Sequence, residues 1–152
     1  MNMIKAILLA MAMMVSINAF AMTDEQEERY TEALRDGNVQ MVKQFLDDGI
    51  PVDQKFYTWE ALQIAANKNQ MEVVKLLVDR GADVNYLHPI TKMSALDFAA
   101  FSNNKKMVDY LISKGAIVNK KMHHDITLVG ALRDEGLNDM ADYMISKGSP
   151  EN

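Results

Sequence analysis

The chain has 152 residues, 49% of them hydrophobic and 24% charged, a balance that fits one folded domain and excludes a disordered one. It has no cysteine, which rules out disulfides, thiolate metal sites and cysteine nucleophiles. The net charge of −5 argues against nucleic acid as a partner, because that footprint needs concentrated Lys and Arg.

Residues 1–21 differ in kind from the rest. Lys5 precedes an apolar run, Ala6–Ile17, broken only by Ser16, and Ala19-Phe20-Ala21 supplies the small-x-small pattern of a signal-peptidase site. The run is shorter than the roughly 20 residues that a spanning helix needs. The expectation is a secretory leader cut after Ala21, leaving Met22–Asn152 with a net charge of −6 and no lasting membrane anchor. An exported protein of this size without cysteine suits a bacterial periplasm. Directly after the leader, Thr23 and Gln26 have the spacing of a capping box, and Asp24, Glu25, Glu27 and Glu28 put negative charge at the positive end of a first helix.

From there a pattern repeats. Blocks ending in glycine line up as Met41–Gly49, Val73–Gly81, Met107–Gly115 and Met140–Gly148, with glycines 32, 34 and 33 residues apart. A period in this range means stacked units. Apolar residues three and four apart (Val42, Phe45, Leu46; Val74, Leu77, Val78; Val108, Leu111, Ile112) predict one buried helix face per block, and each glycine sits where a helix stops in the left-handed conformation. Met41, Met107 and Met140 recur at one position and are predicted to pack there. Upstream of each block lies a second short helix: Leu62–Ala66 matches Leu96–Ala100, with paired alanines that allow close approach and Ser94 as a predicted cap. In the fourth unit Gly130 falls inside this helix, at a cost of about 1 kcal/mol relative to alanine, and the connection Arg133–Asn138 is one residue longer than its counterpart in the first unit. This reads as a loosened last copy.

These residues resemble the ankyrin repeat family. Its GADVN tail is intact at Gly81–Asn85 and nearly so at Gly115–Asn119, while its TPLHxAA signature survives in outline at Glu60–Ala66 and Ser94–Ala100. The resemblance implies an all-α ankyrin repeat solenoid with four repeats at about 23–55, 56–88, 90–121 and 122–152, the outer two acting partly as lids. The signature's Thr place holds Glu60 and Ser94 and its His place Gln63 and Asp97, so the turns are expected to be less rigid than in the family pattern.

The resemblance also implies where a partner sits: on the excursion tips and the exposed side of the first helices, the concave face. In the second repeat this assigns Phe56, Tyr57, Trp59, Asn67 and Lys68. In the third it assigns Ile90, Thr91, Met93, Phe101 and Ser102 with His88 nearby, and in the fourth Met122, His123, Asp125, Arg133 and Asp134. Phe56, Tyr57 and Trp59 stand out, because large aromatics on a rigid ridge dominate binding energy at interfaces.

Enzymatic patterns are weak. The serines lack a glycine-framed nucleophile turn, the histidines lie only at His88, His123 and His124, and no phosphate-cradling loop is present. Adjacent residues such as His123 and His124 point to opposite sides of an extended segment, which favours loop histidines over a metal site. The sequence therefore assigns no catalytic residue, cofactor or metal. The expectation is a monomeric periplasmic protein-binding module, foremost an inhibitor or immunity protein. The alternatives are an accessory factor protecting a periplasmic enzyme, and a metal- or small-ligand-binding protein.

Overall fold

In a computed structural model, which describes residues 22–151, eight α-helices stand in four antiparallel pairs: α1 (Asp24–Asp36) with α2 (Val39–Asp47), α3 (Ala61–Asn67) with α4 (Met71–Asp79), α5 (Ala95–Phe101) with α6 (Lys105–Ser113), and α7 (Leu128–Asp134) with α8 (Asn138–Ser146). The leader predicted at 1–21 lies outside the described residues. No helix among those described is long and apolar enough to cross a membrane. The all-α solenoid expected from the repeat period is present, with one addition. Strands β1 (Lys55–Phe56) and β2 (Trp59–Glu60) pair as a short hairpin at the tip before α3.

The core follows the repeat pattern. Ala61, Ala65 and Ala66 of α3 and Ala95, Ala99 and Ala100 of α5 are buried, which lets successive first helices stack closely. The second helices bury Val73, Val74 and Leu77, then Met107, Val108 and Leu111, then Met140, Ala141 and Met144. Phe45, Leu46, Val78 and Ile112 lean against this core half-buried. The block glycines take φ between 92° and 97° as they end their helices, a region glycine enters without steric penalty. At the start of α1 the capping box is closed in both directions: Gln26 N–H donates to Thr23 Oγ1 at 3.2 Å and Thr23 N–H to Gln26 Oε1 at 3.0 Å.

Two expectations are corrected. The fourth unit's connection is one residue longer than the first's, as expected, but this does not set the last copy apart: three residues separate the helices in the second, third and fourth units, and only Gly37 and Asn38 stand between α1 and α2. Gly37 suits this short link because its φ is 76°, a conformation that residues with a Cβ rarely adopt. The signature turns are not loose either. Gln63 donates to Met93 O at 2.8 Å, reaching the following tip, and buried Asp97 accepts from Ser94 N–H at 2.6 Å while forming an ion pair with Lys120 of the next excursion. Both residues in the His place thus tie one repeat to the next. On the outer side, Asp47–Arg80 (2.9 Å), Asp79–Lys114 (3.3 Å) and Asp109–Lys147 (2.7 Å) link successive second helices. The Lys147 ammonium and the Tyr143 hydroxyl, both bonded to Asp109, hold its carboxyl below its ordinary range. Such exposed pairs add little stability.

Candidate functional site

The helix starts set the register of the tips. Glu60, Ser94 and Thr127 are the residues immediately before α3, α5 and α7. Thr127 Oγ1 accepts from Gly130 N–H at 3.1 Å, so the fourth unit runs one residue later than its sequence suggests. The positions equivalent to Phe56, Tyr57 and Trp59, and to Ile90, Thr91 and Met93, are then His123, His124 and Ile126. The slip has a physical origin: the signature position is fixed by the side chain that caps the helix, and Thr127 caps where Ile126 has no acceptor.

Two grooves open along the tips and first helices. The first is lined by Phe56, Tyr57, Trp59, Asn67 and Lys68, all expected, together with Ile64 and, from α1, Glu27, Thr31 and Arg35. The second is lined by Ile90, Thr91, Met93, Phe101, Met122 and His123, all expected, together with His124, Ile126 and Ala131. The sequence reading missed His124, Ile126 and Ala131 because of the register slip. It missed Glu27, Thr31 and Arg35 because the first unit carries no recognisable signature, although a neighbouring unit must form the other wall of any groove in a stacked array.

Several expected residues are placed elsewhere. Phe56 touches the first groove only from beneath: it is 4% exposed and packs edge-on against Tyr30, with ring centroids 5.5 Å apart. The apolar face of α1 needs this ring as its lid, so Phe56 is a core residue. His88 is buried as well, its Nε2 2.7 Å from Thr58 Oγ1 and its Nδ1 accepting from Thr91 N–H at 3.2 Å. Ser102 borders a separate hollow with Asn69, Asn103 and Lys105. Arg133 reaches away from the tips to Asp142 and Glu151, at 3.0 and 3.4 Å, and Asp125 and Asp134 are exposed but line neither groove.

What remains at the first tip is a supported aromatic edge. Trp59 is half-buried, lying on the His88 ring at 4.4 Å and on Phe98 at 5.4 Å. The hairpin is pinned by Tyr86, whose hydroxyl donates to Thr58 O at 2.9 Å, and by Lys55 over the Tyr86 ring. At its apex Tyr57 is 97% exposed with φ 61°, a left-handed conformation that costs a bulky residue roughly 1–2 kcal/mol. The Phe56–Trp59 pairing of the hairpin holds this backbone in place, while the side chain is left in solvent. Beneath the tip Glu60 is 4% exposed, Lys55 Nζ stands 3.8 Å from its Oε1, and its Oε2 has no hydrogen-bond partner. Burial, with a contribution from Asp53, pushes its carboxyl up to about 7.

A family profile described as ankyrin repeats (3 copies) matches residues 31–122. The chain belongs to the ankyrin repeat family. Ankyrin repeats are protein–protein interaction modules, typically without enzymatic activity of their own. Among similar proteins is ankyrin repeat, SAM and basic leucine zipper domain-containing protein 1, 41% identical over 64 residues in both Ovis aries and Bos taurus, and 42% identical over 65 residues in Atelerix albiventris. The match spans 41% of this ankyrin repeat chain but only 14% of the sheep relative. It concerns the repeats alone.

Proposed function

We propose that this ankyrin repeat protein is exported to the periplasm, where as a monomer it neutralises one protein partner by gripping it on the concave side, as an inhibitor or immunity protein does. The observation that carries the reading is Tyr57, a fully exposed aromatic held in a strained conformation at the apex of a braced hairpin beside half-buried Trp59. Backbone strain collects at functional sites, and a pre-ordered aromatic edge loses little entropy when it docks. Export is supported by the Lys5-to-Ala21 leader pattern, and neutralisation by a small binding module without a catalytic constellation.

The test begins with the partner captured from a periplasmic extract and purified. Equimolar protein should abolish the partner's activity, and Trp59→Ala or Tyr57→Ala should weaken binding about 30-fold or more, equivalent to about 2 kcal/mol. A partner whose activity persists or is protected in the complex would reject neutralisation. Unchanged affinity in both variants would reject this edge as the contact.

A further inference from the structure

His123 and His124 would leave opposite sides of an extended chain, yet the structure turns them together. His124 and Asp125 both take left-handed backbone, at φ 60° and 58°, and the two imidazoles meet with ring centroids 3.9 Å apart and Nδ1 atoms 3.1 Å apart. Successive non-glycine residues in that region are rare, and here they bring two nitrogen donors to one point at an exposed tip. Bonds from imidazole to a first-row metal are about 2.0–2.1 Å long. Two such bonds from nitrogens 3.1 Å apart meet at about 98°, so the hydrogen bond between the rings must open and the nitrogens part by about 0.4 Å to reach the ~120° of a three-coordinate ion. Among the described residues no third His, Asp or Glu joins the pair, so the ligand set of a structural zinc site is lacking. The same groove is also lined by Met93 and Met122, and soft thioether ligands together with imidazoles favour monovalent copper.

We propose that His123 and His124 hold one cuprous ion through their Nδ1 atoms, with the thioether of Met122 as the third donor. This site lies on the same side as the proposed protein contact but does not rest on it, because it needs neither Tyr57 nor Trp59.

The test is an anaerobic titration of the purified protein with Cu(I) against a chromophoric chelator, with zinc run in parallel. One Cu(I) per chain is expected to leave the chelator. His123→Ala and His124→Ala are each expected to lower affinity at least tenfold and Met122→Leu several-fold, with circular dichroism unchanged because all three side chains lie at or near the surface. If the chelator keeps its copper, or if the histidine variants compete as well as the parent chain, the site is refuted. Zinc bound as tightly as copper and indifferent to Met122→Leu refutes the copper assignment.

Discussion

The tips of the second and fourth units occupy the same place in the repeat, yet they are built differently. The second is a strand hairpin whose Phe56 sinks into the core and whose Trp59 rests on His88 and Phe98, braced from the next excursion by Tyr86. The fourth carries His123, His124 and Ile126 at the matching positions and is tethered to its neighbour by His123 N–H donating to Thr91 O at 3.1 Å. The scaffold thus fixes where a tip stands, while the side chains at three positions decide whether it serves as core lid, aromatic edge or nitrogen donor.

Pairwise substitutions sharpen the contrast. Phe56→Ala should cost about 3–4 kcal/mol, the usual loss for an aromatic in a filled core, whereas Met122→Ala at the half-buried fourth tip should cost well under half of that; urea denaturation measures both. If the two cost the same, the second tip is not part of the core. The caps beneath the tips differ in another way. The Glu60 carboxyl titrates near 7 when folded against an ordinary value of 4.5. Between those values the folded chain keeps a proton that the unfolded chain releases, so this group's stabilising contribution is complete below pH 4.5, declines as pH rises to 7, and stays lost above. Glu60→Gln should therefore flatten stability against pH across that window and raise stability at pH 8 by up to about 3 kcal/mol. Thr127→Ala, which removes an ordinary cap, should cost about 1 kcal/mol with no such pH dependence. The smallest effect is expected at the apex: Tyr57→Gly should relieve left-handed strain and stabilise the free protein by about 1 kcal/mol while weakening partner binding. A loss of stability instead would mean that Tyr57 has contacts holding it in place.

The array was legible because glycine-ended blocks and paired alanines report on contacts made within a repeat or with its immediate neighbour. The capping box at Thr23 was legible for the same local reason. The burial of Phe56 was not, because it is decided by Tyr30, a residue of the preceding unit whose sequence carries no family signature. The fourth tip was misread by one residue because Ile126 and Thr127 stand side by side and only the hydroxyl, once in place, shows which one starts the helix. Convergence of the two histidines depends on backbone angles at His124 and Asp125 that nothing in those residue types announces. Even so, eleven of the expected site residues line the two grooves, because the family pattern places side chains by position whatever their identity.

The central claim is that the tips and first helices form the contact surface, and hydrogen–deuterium exchange of the protein alone and in complex with its purified partner tests it most directly. Slowed exchange at the Lys55–Glu60 hairpin and along α3 and α5, with α4, α6 and α8 unchanged, is the predicted result. Protection confined to α4, α6 and α8, on the side carrying the Asp79–Lys114 and Asp109–Lys147 pairs, would contradict it.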